Sequence, residues 1–385
     1  MTVGWDADSD VAAWPGLPPL DGDRAADACV VGLGASGLAA VEELTARGLS
    51  VVGIDAGRVG GGAAGRNGGF LLGGPAAFLH DAIARWGEAD AVSLYRQTLA
   101  EIDVLVDTLG TDVVRRTGSI RLAGLPGEPT SAVEAAVREH ELDDCAAHAL
   151  ALRTHGIAVE EYDGLLGRGI FLPDDAAMHP ARRALAVAVR AARVAELHEH
   201  TSVRELADGR VVTAHGQITA GLVVVAVDGR LDILLPQLAD RVRTARLQML
   251  ATAPLGARRL HCPLYGRWGY DYAQQTPDGR LFVGGGRDLF TAQEWTTLTE
   301  TTPPVQRYLD AIAPRIAGAP VQVTHRWAAS VGFTLDGRPL CTKVDERTVA
   351  IGGYNGTGNL VGPIAARAAV ALAIDGTAPP GYFVG

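Results

Sequence analysis

The stretch Val30–Ala39, VVGLGASGLA, sets glycines at 32, 34 and 37 directly behind an apolar run. The run ACVVG reads as a buried strand. The residues after it, SGLAAVEELTARG, carry apolar positions at helical spacing and stop at Gly48, and SVVGID reads as a second strand ending at Asp55. A strand that turns straight into a helix presents free N–H groups and the positive end of the helix dipole, where a pyrophosphate can sit. Gly32 permits the tight turn, Gly34 lets the backbone approach phosphates, and Gly37 allows the helix to pack closely on the strand. Asp55 lies about twenty residues on, placed to accept hydrogen bonds from the ribose hydroxyls of an adenosine and to repel a 2′-phosphate. NAD and FAD fit this element equally well; NADP is disfavoured.

The chain of 385 residues is long enough for more than one domain, and 48% of it is apolar. A formal charge of −10 with interspersed Arg and acidic residues leaves no basic stripe for nucleic acid. Cys29, Cys145, Cys262 and Cys341 form no C-x-x-C and read as buried thiols of a cytoplasmic protein. The start, MTVGWDADSD, is acidic and lacks an apolar leader, and no apolar run is long enough for a membrane span, so no membrane association is expected.

Further along, AGRVGGGAAGRNGGFLLGGP is longer than ordinary loops and reads as functional. Residues from Ala76 to about Val194 are mostly helical in pattern, with AAFLHDAIARWG, SLYRQTLAEIDVLVDTLG and MHPARRALAVAVRAARV the clearest segments. The runs TSVREL, RVVTA and LVVVAV read as a meander returning to the first sheet, and RWGYDYAQQT with RLFVGG as a hairpin about Pro277, Asp278 and Gly279. Near the end, TVAIGGYNGTGNLVGPIAARAAVALAIDG repeats strand, glycine-rich turn and helix. An NAD enzyme needs its second mononucleotide half soon after the first. Here the matching element comes about 300 residues later, which favours a flavin held from both ends of the chain.

Four stretches, VVGLGASGLAAVEELTARGLSVVGIDA, RVGGGAAGRNGGFLLGG, VVVAVDGRLDILLP and FTLDGRPL with VAIGGYNGTGNLVG, together resemble the D-amino-acid oxidase (DAO) family of FAD-dependent amine and amino-acid oxidases. They look most like its gamma-glutamylputrescine oxidoreductase, glycine oxidase and sarcosine oxidase group. The resemblance implies that Gly32, Gly34, Ala35, Ser36, Asp55 and Ala56 hold the adenosine diphosphate part of FAD, and that Val203 meets the adenine. It implies that Arg66, Asn67, Gly68 and Gly69, with Gly353, Gly356, Thr357 and Gly358, line the isoalloxazine. Ala64 departs from the Ser common in relatives. Cys341 follows GRPL and reads as buried, so FAD is expected to be held without a covalent bond.

The resemblance also implies a fold: α/β, or α+β overall, with an FAD-binding Rossmann-like domain of discontinuous segments and a second, largely antiparallel β-sheet substrate domain. Residues 1–80, 178–235 and 325–385 are assigned to the first, and 81–177 and 236–324 to the second. The substrate sheet would lie over the flavin and include RWGYDYAQQ. Strand alternation puts Trp268, Tyr270, Tyr272 and Gln274 on one of its faces, with Tyr270 and Tyr272 as the candidate catalytic residues; ordinary core packing of that face is the alternative. Amino-acid oxidases of the family hold the substrate carboxylate with an Arg before T-x-D-G, where this chain has Val331. Arg267 and Arg287 are candidate replacements for that Arg, with a surface or structural role as the favoured alternative. The expected reaction is oxidation of a C–N bond of an amine, secondary, cyclic or substituted, to an imine, with O2 the acceptor. The alternatives are a D-amino-acid or glycine-type oxidase, a flavin dehydrogenase with another acceptor, an NAD-linked dehydrogenase, and an FAD-binding subunit without turnover. Lys343, the only lysine, falls in TKVDERT, read as a turn, where it does not suit an oxygen-activating role.

Overall fold

The structure, a computed structural model, describes residues 3–385 and divides into two compact units. The terminal unit comprises Asp8–Asn67, Pro180–Ala245 and Ser330–Gly385. The internal unit comprises the segment ending at Ala7, Gly68–His179 and Arg246–Ala329. These limits differ from the sequence division at residues 3–7, 68–80, 178–179, 236–245 and 325–329. Phe70–Leu71 pairs with Ala176–Met178 inside the internal unit, and Leu238 and Val242 pack into the core of the terminal one.

In the terminal unit, Arg24–Val31 lies between two parallel neighbours, Val51–Ile54 and Gln217–Val225. Glu196–His198 adds to the first neighbour and Thr348–Gly352 to the second, both parallel. Val31, Ile54, Val225 and Ala350 stand in register, so four carboxyl ends share one edge. Cys29, Val31, Val52, Ile54, Val223, Val225 and Ala350 are buried in one core, as the near-continuous apolar runs of parallel strands require. The expected meander is present: Val203–Ala207 and Arg210–Thr213 run antiparallel into the first half of Gln217–Val225.

Two helices follow strand ends in this unit, Ala35–Ala46 and Gly358–Ile374. They approach closely at Gly362, where a Cβ would stand 3.3 Å from the Ser36 nitrogen. Pro363 interrupts the second helix and has no N–H for the Asn359 carbonyl four residues earlier. Arg183 Nη2 donates to that carbonyl instead, at 3.0 Å.

The internal unit is built on an eight-stranded sheet in the order Val323–Phe333, Arg243–Pro254, Arg280–Gly284, Asp271–Gln275, Leu264–Gly266, Ser119–Leu122, Gly167–Leu172, Glu160–Gly164. The described pairings are antiparallel except that between Leu264–Gly266 and Ser119–Leu122. One face carries Ile120, Leu122, Leu264, Ala273 and Val283 against Val305, Leu309, Ile312 and Ile316 of the helix Pro303–Ala317. The longest helix, Ala132–Thr154, opens on a cap that the sequence spells as S-A-V-E: Ser131 Oγ accepts from the Glu134 N–H at 3.1 Å.

Candidate functional site

At the carboxyl edge of the parallel strands, the Gly32 turn has the geometry its glycines require. Gly32 sits at φ +97°, and a Cβ there would meet the Ala226 carbonyl at 2.7 Å. At Gly37 a Cβ would fall 1.7 Å from the Gly32 oxygen, so the helix can lie this close to the turn only without a side chain. At Gly34, by contrast, the nearest atom is the Ala64 Cβ at 3.7 Å, which leaves room in front of the helix start. No side chain caps the helix at Ala35, and Ser36 is buried in its first turn. Asp55 accepts from the Leu33 N–H through Oδ2 and from the Gly57 N–H through Oδ1, both at 2.8 Å. Each oxygen keeps a second lone pair for a hydroxyl donor. Burial raises its pKa, against the lowering effect of these two bonds.

The long glycine-rich connection folds back over this edge. Its last turn, Ala63–Arg66, ends at Asn67, whose Nδ2 donates to the carbonyls of Ala63 and Ala64. The amide groups of Asn67 and Asn359 exchange hydrogen bonds, each 3.1 Å, and so join residues nearly 300 positions apart. The C-terminal turn is fixed from below by Asp228, which takes the N–H groups of Gly332 at 3.1 Å and Tyr354 at 3.2 Å. Burial raises the Asp228 carboxyl to about 6. Asn355, at φ +54°, donates to the carbonyls of Gly337 and Gly353. Beyond it Gly356, at φ +94°, faces open space, and Thr357 leads into the Gly358 helix without a side-chain cap.

Two residues that hold this edge together were not apparent in the sequence. Asp228 is one, and Glu199 is the other. Nearly all of Glu199 is buried, and its carboxylate accepts from Trp14 Nε1 and from the N–H groups of Leu17 and Val59. Next to it, the Thr201 N–H donates to the Asp55 carbonyl at 2.7 Å, which sets the approach to Val203 at the opening of its strand. Ala56 is exposed beside Asp55. The donor set suits a pyrophosphate-linked dinucleotide such as FAD: two uncapped helix starts, open glycine faces at 34 and 356, and a carboxylate at the end of the second strand.

In the internal unit, the face of the sheet opposite the apolar core carries aromatic and polar side chains. Arg121 pairs with Tyr265, Tyr265 with Tyr272, and Tyr272 with Gly284, in one row across four strands. The rings of Tyr265 and Tyr272 lie 5.9 Å apart, and Phe70 stands edge-on to them at 5.4 and 5.9 Å. Gly284 leaves room for the Tyr272 ring, which a Cβ would meet at 2.3 Å. Gly68 and Gly69 belong to this unit; their carbonyls accept from Gln274 Nε2 at 2.6 and 3.2 Å. Burial raises the Tyr272 phenol above its ordinary value, so it stays protonated at neutral pH.

Tyr270 lies outside the strand, contrary to the expected alternation. The strand begins only at Asp271, because Arg267, Trp268 and Gly269 form a left-handed turn at φ +50°, +56° and +84° that cannot continue a pleat. Trp268 is held there by Glu141, which accepts its N–H, and by Asp144, which accepts from its Nε1 at 2.7 Å. Tyr270 is 37% exposed, with the Arg287 guanidinium 5.5 Å over its ring. Arg267 pairs with Asp271 and Asp288. Lys343 lies on the strand Leu340–Lys343 rather than in a turn, and Cys341 beside it is buried, its thiol pushed up to about 12.

No group of His, Cys, Asp and Glu among the described residues is arranged to hold a metal ion, and no helix among them is long and apolar enough to cross a membrane. The profile of the family described as FAD dependent oxidoreductase matches residues 27–372. The chain is 27% identical to a probable oxidoreductase OrdL of Rhizobium meliloti strain 1021, over 89% of this chain and 82% of that protein. It is 28% identical to the gamma-glutamylputrescine oxidoreductase of Escherichia coli strain K12, over 86% and 80%. Among solved structures, glycine oxidase from Geobacillus kaustophilus superposes with a TM-score of 0.71 at 20% identity, covering 92% of this chain and 95% of that one. L-proline dehydrogenase from P. horikoshii does so with 0.71 at 18%, covering 94% and 97%. With its two-ended nucleotide cradle and a family match running over most of its length, this chain belongs to the DAO family of FAD-dependent oxidoreductases.

Proposed function

We propose that this enzyme oxidises the C–N bond of a secondary, cyclic or substituted amine to an imine, and that dioxygen is its electron acceptor. The observation that carries the reading is the meeting of residues 32–37, 55–67 and 353–359 at one edge of the parallel sheet, tied by Asn67, Asn359 and Asp228. FAD, when bound, supplies the hydride-accepting chemistry.

Gly32, Gly34, Ala35 and Ser36 would present backbone N–H groups to its pyrophosphate, with Asp55 and Ala56 at the ribose and the Val203 backbone at the adenine. Arg66, Asn67, Gly353, Gly356, Thr357 and Gly358 would hold the ring end without a covalent link, Cys341 being buried as a protonated thiol. The Tyr265, Tyr272 and Phe70 face would confine an uncharged amine and keep water from it. Tyr272, protonated, is a hydrogen-bond donor there and not a base, so the amine must arrive already neutral. Val331, in place of an arginine, removes the bidentate anchor of an α-amino acid. One relative, the gamma-glutamylputrescine oxidoreductase, carries by its name a C–N substrate of this kind.

The test is anaerobic mixing of the yellow holoprotein with N-methylated and cyclic amines and, in parallel, with alanine and proline enantiomers. The reading requires that amines bleach the flavin colour and that admitted air restores it. Faster bleaching by the amino acids would overturn the substrate assignment. A coloured protein that no amine bleaches would leave only flavin binding.

A further inference from the structure

Arg121 is the one member of the Tyr265–Tyr272 row that carries a charge. Only 5% of it is exposed, yet among the described residues it makes no hydrogen bond or ion pair through its side chain, and its Nε is buried without a partner. Its guanidinium lies 5.3 Å from the centre of the Phe78 ring, which offers a π face and no acceptor. Asp175 is buried nearby and feels the Arg121 charge, but its two hydrogen bonds are to the Gly73 N–H at 2.7 Å and the Ser119 hydroxyl at 2.6 Å and none is to the guanidinium. His148, stacked on Phe78 at 4.9 Å, accepts the Leu79 N–H through Nδ1, which leaves its proton on Nε2, a donor also buried without a partner. Burying the Nε–H of a guanidinium unanswered is costly, and its two terminal nitrogens have no protein acceptor among the described residues either. An anion received in this place removes that cost, and a carboxylate matches the fork of the guanidinium in two parallel bonds.

Building on the proposed amine oxidation, we propose that Arg121 is the anion-recognising residue of this face, selecting amines that carry a carboxylate on the chain away from the reacting nitrogen. Arg121 and Tyr272 are two strand spacings apart, roughly 10 Å along the sheet. That separation suits a carboxylate several carbons from the nitrogen rather than an α-carboxylate. It agrees with Val331, which leaves the α-carboxylate without a clamp.

The test uses a matched pair, 4-(methylamino)butanoate and N-methylbutylamine, together with butanoate as an unreactive probe, on the holoprotein. Butanoate is expected to bind, perturbing the flavin spectrum and raising the melting temperature in a saturable way. The carboxylated amine is expected to half-saturate flavin reduction at a concentration at least tenfold below that of its neutral partner. In Arg121→Met the ratio falls towards one and butanoate no longer binds, whereas Arg121→Lys retains part of both. Butanoate that does not bind the wild-type holoprotein, or a wild-type ratio near one with both amines reducing the flavin, overturns the assignment and leaves amine oxidation standing. If neither amine reduces the flavin, the proposed reaction fails, and the butanoate titration still decides Arg121. That titration needs no variant, so a misfolded Arg121→Met does not shelter the proposal.

Discussion

In the terminal unit the groups proposed to meet a ligand are backbone N–H groups where parallel strands end, whereas in the internal unit they are side chains set in register across neighbouring strands. The first kind of site leaves a mark in the sequence, because backbone can be bared only by glycine and the strand–turn–helix around it is local. The second leaves almost none. Arg121, Tyr265 and Tyr272 stand side by side because Ser119–Leu122, Leu264–Gly266 and Asp271–Gln275 pair in a particular register, and about 150 residues separate the first strand from the others.

The sharpest way to break the comparison is at two glycines of the same turn. A methyl at Gly37 would lie 1.7 Å from a backbone oxygen, and neither the strand end nor the helix can yield that far. Gly37→Ala should therefore destabilise the apoprotein by more than about 3 kcal/mol in urea unfolding. Gly34→Ala meets nothing nearer than 3.7 Å and keeps an ordinary backbone conformation. It should change apoprotein stability by less than about 0.5 kcal/mol and yet weaken FAD binding at least tenfold, read by flavin fluorescence during titration. Equal losses of stability in the two variants would show that Gly34 serves the fold and not the ligand.

In the internal unit the sharpest test is of the carboxylate that holds the left-handed turn. Glu141 accepts the N–H groups of Gly124 and Trp268, and burial raises its pKa to about 7. An unfolded chain releases this proton near pH 4.3. Between those values the native state holds a proton that the unfolded state does not, so the stability it contributes is whole below about pH 4 and is lost as pH rises through 7. Over that interval the loss is on the order of 3 kcal/mol. The wild-type curve of stability against pH should fall relative to that of Glu141→Gln by about this amount between pH 4.5 and 8. Tryptophan fluorescence is the fitting probe, since five of the six tryptophans lie in the internal unit. Parallel curves would mean that Glu141 is ionised throughout.

These contrasts also show how far the sequence could be read. The Gly32 turn, Asp55, the returning meander and the late strand–turn–helix were legible because each is a local pattern with one physical solution. Asp228 and Glu199 were not, since a carboxylate that gathers N–H groups from remote loops looks in sequence like any surface acid. The long helix Ala132–Thr154 was announced by its S-x-x-E cap, a signal that its many charged residues obscured. The alternation through RWGYDYAQQ misled at Trp268 and Tyr270, both of which precede the strand. Positive φ at Arg267 and Trp268 is set by Glu141 and Asp144, which lie more than 120 residues away in the chain, and nothing local forecasts it.

That misreading yields the smallest and most discriminating effect. Tyr272 packs between Tyr265 and Phe70 on the face that also carries Arg121, while Tyr270 stands outside the strand with its ring under Arg287. Removing the hydroxyl from Tyr272 takes away the one donor proposed to meet the substrate nitrogen, and Tyr272→Phe should slow anaerobic flavin reduction about tenfold, the scale of a single hydrogen bond of about 1.4 kcal/mol. Tyr270→Phe keeps the ring on which Arg287 rests and removes a hydroxyl on an exposed side chain, so its rate should stay within about twofold of wild type. A reversal of this order, with Tyr270→Phe the slower enzyme, would mean that the left-handed turn presents Tyr270 to the substrate and that the row of side chains across the strands is ordinary packing.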